Sequence, residues 1–98
     1  MEKFNDIING EQLTLVDFFA TWCVPCKQMH PVLEQLKQDL GEGIRIIKLD
    51  VDKNEAIANA YRIQSVPTLM LFKSSQVIWR QSGAMRLNEL KAIINQNA

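Results

Sequence analysis

Two cysteines carry the reactive chemistry that this sequence offers. Cys23 and Cys26 are the only cysteines among the 98 residues, and two residues separate them. A thiolate at one of them can attack a disulfide, and the other can then resolve the mixed disulfide that forms. A structural bridge is disfavoured, because a bridge across two residues closes a very small loop and gains little from loop entropy. The spacing therefore indicates a reversible redox pair.

The two thiols have different predicted surroundings. Cys23 follows an apolar, strand-like run and stands just before a helical pattern that starts at Val24. Free N–H groups and the positive end of the helix dipole stabilise a thiolate at such a junction. Cys26 begins the apolar stripe of the helix, which continues at Met29 and Leu33. We therefore expect Cys23 to be the exposed, attacking thiol and Cys26 the sheltered, resolving thiol.

Asp17 is the candidate base for the second thiol. It is the only carboxylate in the apolar run that leads to the cysteines. A buried thiol has a raised pKa and needs a base, which could be Asp17 directly or through a water. Burying this carboxylate costs several kcal/mol unless it is paired, hydrogen-bonded or protonated. An exposed position at a sheet edge is the alternative, and Lys48 in the second β-rich run could pair with Asp17.

A metal site is the rival interpretation of the cysteine pair. Cys23, Cys26 and His30 have a C-x2-C-x3-H spacing. A structural zinc site needs four ligands, and the chain has no further Cys or His, so we expect no metal. His30 is interpreted as a helix-surface residue near the site. The four methionines are interpreted as core residues, of which Met70 could lie near the site.

Composition excludes several other classes of function. Lys plus Arg and Asp plus Glu each number 11, so a neutral chain has no electrostatic reason to bind nucleic acid or an anionic membrane. No apolar run reaches the length of a transmembrane helix, and residues 1–8 lack the apolar core of a signal peptide. Together with the 47% apolar content, these features predict a single cytoplasmic domain spanning residues 1–98.

The periodicity of apolar residues predicts the elements that position the cysteines. Four helices are predicted, over residues 1–9, 24–40, from the 52–55 segment to about 61, and from about 87 to 96. Four strands are predicted, over residues 13–20, 44–51, 68–73 and 76–81. Residues 52–55 resemble a capping box for the third helix, whose inward residues would be Ile57, Ala60 and Tyr61. This order predicts an α/β fold with one mixed sheet and helices on both faces.

The motifs together resemble the thioredoxin family. They are VDFFATWCVPCK at 16–27, Pro31, KLDVD at 48–52, VPTL at 66–69, LFK at 71–73 and Gly83-Ala84, in the family's order. The resemblance implies a thioredoxin fold with a four-stranded mixed sheet. The extra N-terminal strand of full-length members would be missing, and the sheet edge beside residues 44–51 would be open.

The resemblance also implies an activity and a set of site residues. The chain would be a monomeric dithiol–disulfide oxidoreductase without a bound cofactor, reducing protein disulfides and re-reduced by an NADPH-dependent thioredoxin reductase. Cys23 would be the nucleophile, Cys26 the resolving thiol and Asp17 the buried proton acceptor, with Lys48 near it. A cis bond would join Val66 and Pro67, whose backbone would pair with an extended substrate segment. The substrate groove would be lined by Trp22, Val24, Pro25, Val66, Pro67, Gly83 and Ala84.

The sequence departs from the family pattern at two further places, and the one between the cysteines leaves the function open. Val24 stands where thioredoxins usually have glycine, and Ser74-Ser75 replaces the usual Asn-Gly type of hairpin turn. Because the residues between the cysteines influence the redox potential, a thiol oxidase or isomerase is an alternative function. A third possibility, from another class, is a binding subunit that uses the same surface for docking while the thiols are incidental.

Overall fold

The elements form in the predicted order, with the apolar runs as strands and the striped segments as helices. The computed structural model describes residues 3–98. The helices are α1 (Phe4–Ile8), α2 (Val24–Leu40), α3 (Glu55–Ala60) and α4 (Leu87–Asn97), and a short 3-10 turn, Gly41–Gly43, follows α2. The strands are β1 (Thr14–Phe19), β2 (Arg45–Asp50), β3 (Thr68–Lys73) and β4 (Gln76–Ser82).

The strands form one four-stranded mixed sheet in the order β2-β1-β3-β4. β1 pairs in parallel with β2 and antiparallel with β3, and β3 and β4 form the predicted hairpin. β1 and β3 occupy the centre because their residues are buried on both faces, whereas β2 and β4 are edge strands with exposed residues. The residues that follow Phe19 therefore lie at the centre of the sheet, at the carboxyl end of β1.

Two hydrophobic layers lie on opposite faces of the sheet. Leu15, Leu69 and Leu71 pack with side chains of α2 and α4 on one face. Val16, Phe18 and Phe72 pack with α1 and α3 on the other. Met70 belongs to this second layer, whereas the cysteines belong to a separate cluster at the start of α2. The interpretation of Met70 as a residue near the site is therefore wrong.

Helices α1 and α3 differ from the sequence prediction. Residues 1 and 2 of the predicted first helix lie outside the described residues, and the helix ends at Ile8 rather than at residue 9. The capping box before α3 does not form, because Asn54 is the N-cap residue and makes no side-chain capping hydrogen bond. In α3 the buried residue is Ala58, while Ala60 is exposed. The helix is too short for its apolar spacing to define a face.

The hairpin turn Ser74-Ser75 adopts the left-handed backbone that Asn-Gly turns favour. Ser74 has φ 51° and Ser75 has φ 68°, a conformation that costs non-glycine residues free energy. Contacts from outside the hairpin stabilise the turn, since Ser74 N–H donates to Gly10 O at 2.9 Å and Ser75 N–H to Ile8 O at 2.8 Å. Carbonyl groups at the end of α1 and just after it thus stabilise a turn conformation that the two serines disfavour.

Candidate active site

Cys23 and Cys26 form a disulfide at the N-terminus of α2. Cys23 is the N-cap residue of the helix, Pro25 lies in its first turn, and the backbone N–H of Cys26 donates to Cys23 Sγ at 3.2 Å. A proline is tolerated there because a first-turn N–H has no partner within the helix. The free N–H groups and the helix dipole favour negative charge on Cys23 Sγ once the disulfide is reduced.

The burial of the two cysteines corrects one expectation. Cys26 is fully buried, as the helical spacing predicted, but Cys23 is only 4% exposed. Its Sγ lies 3.7 Å from the carbonyl oxygen of Val66, and its side chain packs with Ala20 and Cys26. The prediction of an exposed Cys23 is therefore wrong for this oxidised form, because the loop before β3 covers a position that is open on the helix itself.

Asp17 is fully buried in the central strand β1. Strand alternation puts its side chain on the same face as Leu15, which is the face that α2 covers. Neither carboxylate oxygen has a hydrogen-bond partner within residues 3–98. Desolvation raises the pKa of Asp17 to about 6, and the charge of Lys48 acts in the opposite direction. The alternative of an exposed Asp17 at a sheet edge is wrong, and the carboxyl group can hold or release a proton near neutral pH.

Lys48 and His30 lie on the same side of the sheet as Asp17. Lys48 is the Cα partner of Asp17 across β1 and β2, and it is exposed. His30 is half-buried rather than on the helix surface, with its ring 5.4 Å from the Phe19 ring in an edge-to-face arrangement. Burial lowers the pKa of His30, Lys48 lowers it further, and Glu34 raises it. The imidazole is therefore favoured in its neutral form.

The Val66–Pro67 peptide bond is cis, as expected, and it lies against the disulfide. Pro67 is buried, and its carbonyl accepts the N–H of Gly83 at 2.8 Å. Gly83 has φ 96°, a conformation that side chains rarely adopt, and the neighbouring Ala84 is exposed. The structure thus brings the 66–67 and 83–84 segments together beside Cys23.

An exposed apolar surface flanks the disulfide on the other side. Trp22 is 69% exposed and Val24 is 62% exposed, which makes them the most exposed large apolar side chains of residues 3–98. Trp22 Nε1–H donates to Asp52 Oδ2 at 3.0 Å. Pro25 is exposed as well. Exposed apolar side chains beside a reactive group are typical of a surface that binds another molecule.

A cleft of about 140 Å³ adjoins this surface. Its lining includes Trp22 and Val66, which were expected at the site. It also includes four residues that the sequence analysis did not assign to the site, namely Val51, Ile63, Gln64 and Ser65. Asp52 was missed too, because it was interpreted as part of a capping box. The only available signal was its position just after β2, at the same sheet edge as the cysteines.

Two further structural findings bear on ligands and membranes. Within residues 3–98, no group of three or more His, Cys, Asp or Glu side chains is placed to hold a metal ion. None of the helices in that part of the chain combines the length and the apolarity needed to cross a bilayer.

Comparison with known proteins gives consistent similarities. The family model described as Thioredoxin matches residues 1–96. The chain is 50% identical over 89 residues to a thioredoxin-like protein of Synechocystis sp., covering 90% of this chain and 85% of that protein. It is 39% identical over 88 residues to the thioredoxin of Bacillus subtilis, covering 90% and 85%. A solved mutant thioredoxin from Halobacterium salinarum superposes with a TM-score of 0.86 at 35% identity, covering 94% of this chain and 80% of that one.

Proposed function

Because this chain belongs to the thioredoxin family of dithiol–disulfide oxidoreductases, we propose that it acts as a reductase of disulfides in proteins. The observation that carries this proposal is the Cys23–Cys26 disulfide at the N-terminus of α2. It supplies a two-electron redox group within the chain, and no bound cofactor is invoked. Residues 1–98 form a single thioredoxin domain in this proposal, working as a monomer.

Cys23 is the attacking group and Cys26 the resolving group. In the reduced protein, the Cys23 thiolate attacks one sulfur of the substrate disulfide, and the other substrate sulfur leaves as a thiolate. Cys26 then loses its proton and attacks Cys23 Sγ, which breaks the mixed disulfide and releases the second substrate thiol. The protein ends with the Cys23–Cys26 disulfide, and the substrate has gained two electrons.

The different surroundings of the two sulfurs support these roles. The N–H of Cys26 is 3.2 Å from Cys23 Sγ, and a hydrogen bond to the charged form lowers a thiol pKa. Cys26 has no exposure to solvent, and a buried site disfavours the charged form of a thiol. A mixed disulfide to Cys23 therefore precedes the attack by Cys26.

Asp17 accepts the proton of Cys26, directly or through a water. It is buried on the face of the sheet that α2 covers, and its pKa of about 6 lets it exchange a proton near neutral pH. Lys48 lies on the neighbouring strand, and its positive charge lowers the pKa of Asp17, against the effect of burial. The absence of any hydrogen-bond partner for the carboxylate within residues 3–98 favours transfer to and from the thiol over a structural role.

The surface around the disulfide binds an extended segment of the substrate protein. Its residues are Trp22, Val24, Pro25, Val66, Pro67, Gly83 and Ala84. The exposed apolar side chains Trp22 and Val24 contact substrate side chains on one side of the disulfide. On the other side, backbone groups of the 66–67 and 83–84 segments pair with the substrate backbone. Pro67 contributes through the shape of the loop, since it is buried, has no N–H group, and its carbonyl accepts the N–H of Gly83.

An NADPH-dependent thioredoxin reductase restores the dithiol in this proposal, and the protein works in the cytoplasm. Relatives include bacterial thioredoxins and a chloroplastic thioredoxin Y of rice. The direct test is NADPH consumption by a thioredoxin reductase in the presence of this protein and insulin as the disulfide substrate. We expect consumption to depend on all three components. No consumption, while a Bacillus subtilis thioredoxin control is active, contradicts the proposal.

Val24 supports a second candidate function, that of a thiol oxidase or isomerase. It replaces the glycine usual between the cysteines, and its exposed side chain is part of the redox motif. A redox titration of the Cys23–Cys26 pair against glutathione separates the two functions. A midpoint well below that of the glutathione pool supports the reductase, and a midpoint near or above it supports the oxidase or isomerase.

A docking role without redox chemistry is tested by Cys23→Ser. The reductase proposal requires that this variant lose its biological function completely, because disulfide reduction needs Cys23. A subunit that acts only by docking keeps its biological function without this thiol.

A further inference from the structure

The thioether of Met29, one helical turn after Cys26, accepts a backbone hydrogen bond. Met85 N–H donates to Met29 Sδ at 3.3 Å, and both residues are buried. Buried backbone N–H groups are almost always paired, usually with oxygen acceptors, and a thioether sulfur is a weak acceptor. Within residues 3–98 this N–H has no other acceptor. The hydrogen bonding of Met85 therefore depends on one atom of one side chain.

The position of this hydrogen bond connects two parts of the site. Met29 lies on α2, one turn after Cys26 and on the same buried face. Met85 follows Gly83 and Ala84, and Gly83 N–H donates to Pro67 O at 2.8 Å. Segment 83–85 is thus attached at one end to the loop before β3 and at the other end to the helix that carries Cys26.

We propose that Met29 is a positioning residue for substrate binding, holding segment 83–85 where its backbone can pair with an extended substrate segment. This inference rests on the proposed reductase function and on the substrate surface assigned to Gly83 and Ala84. Gly83 has φ 96°, so local sequence preference does little to hold the segment in place. Without an acceptor, the Met85 N–H must stay unpaired or move toward water, and either change shifts the segment relative to Cys23.

Met29→Leu removes the acceptor while keeping a side chain of similar volume, an exchange that cores usually tolerate. Met70→Leu is the matched control. Met70 is equally buried but packs on the opposite face of the sheet, and no hydrogen bond to its sulfur is found in the part of the chain that the structure describes. Both variants lose one buried sulfur, but only Met29→Leu also loses the acceptor of the Met85 N–H.

Single-turnover kinetics separate substrate binding from chemistry. Each protein, reduced beforehand, is mixed with excess insulin or with dithiobis(nitrobenzoate), a small disulfide that has no peptide backbone. We expect Met29→Leu to raise the half-saturating concentration of insulin by about fivefold, the effect of losing one neutral hydrogen bond. The maximal rate with insulin and the rate with the small disulfide should stay within about twofold of the wild type, since the cysteines are unchanged. Met70→Leu should behave as the wild type with both substrates.

Amide hydrogen exchange at Met85 gives a measurement that does not depend on activity. We expect exchange at this amide to become faster in Met29→Leu by at least about tenfold and to stay unchanged in Met70→Leu. Unchanged exchange in Met29→Leu, an unchanged half-saturating concentration of insulin, or equal losses with both disulfides would overturn the positioning role. If the wild type reduces neither disulfide, the reductase proposal fails, and exchange at Met85 still decides whether Met29 holds the segment.

Discussion

Replacing Asp17 with alanine should make the protein more stable at neutral pH and slow its turnover. Asp17 is fully buried in the central strand, and neither of its oxygens has a hydrogen-bond partner within residues 3–98. Its ionised form is therefore poorly solvated in the folded state, and burial raises its pKa from 3.8 to about 6. The same property that makes Asp17 suitable as a base makes it unfavourable for folding.

The size of the effect follows from the two pKa values. The interval between 3.8 and about 6, at about 1.4 kcal/mol per pKa unit, corresponds to about 3 kcal/mol of lost folding free energy once the carboxyl group is ionised in both states. Alanine removes this cost but leaves a small cavity, which lowers stability by roughly 1 kcal/mol at every pH. The net gain of Asp17→Ala at neutral pH is therefore about 2 kcal/mol.

The sign of the pH dependence follows from proton binding. Between pH 3.8 and about 6 the folded state keeps a proton on Asp17 that the unfolded state has lost. Wild-type stability therefore falls as pH rises through this window. The cost of the buried carboxyl group is below about 1 kcal/mol at about pH 4 and about 3 kcal/mol at about pH 8. The alanine variant lacks this dependence.

Urea unfolding of the oxidised protein at these two pH values measures the difference. We expect the stability of Asp17→Ala relative to the wild type to increase by about 2 kcal/mol from the lower to the higher pH. Asp6→Ala, at an exposed position, is the control for removing a carboxylate from the surface. A relative stability of Asp17→Ala that does not change with pH would refute the claim that the buried Asp17 carboxylate lowers the stability of the folded state. Turnover near neutral pH equal to that of the wild type would refute its role as a base.

The other expectations concern the cysteines, Val24 and the hairpin turn. Cys23→Ser should abolish disulfide reduction, and Cys26→Ser should accumulate mixed disulfides with substrate on non-reducing gels; no adduct would contradict the assigned roles. Val24→Gly should raise the half-saturating concentration of insulin by about twofold to threefold, with unfolding free energy reduced by less than about 1 kcal/mol, because the side chain is mostly exposed. Replacing Ser74-Ser75 with Asn-Gly should raise the unfolding free energy in urea by about 1 kcal/mol, since both positions have positive φ; an unchanged or lower value would show that the turn is unstrained.

The elements and the redox motif could be predicted because their signals are local. The apolar stripe of α2 recurs every three or four residues, and the structure has this helix with the predicted bounds, Val24–Leu40. The hairpin of β3 and β4 follows from two β-rich runs joined by two residues. Asp17 could be singled out because a carboxylate in an apolar run is costly unless it has a function. None of these predictions requires knowledge of the contacts between residues that are distant in the sequence.

The amino-acid sequence alone determined the order of the elements, the family, the redox pair and the buried stripe on which Cys26 lies. Only the tertiary structure decided that Cys23 is covered by the Val66 loop, that Asp52 binds Trp22, and that Met29 Sδ accepts the N–H of Met85. The physical reason is the range of each interaction. The spacing of apolar residues along the sequence predicts only which face of its own helix or strand a residue lies on. Contacts between residues that are 30 to 56 positions apart depend on how the elements pack, and no local pattern encodes that packing.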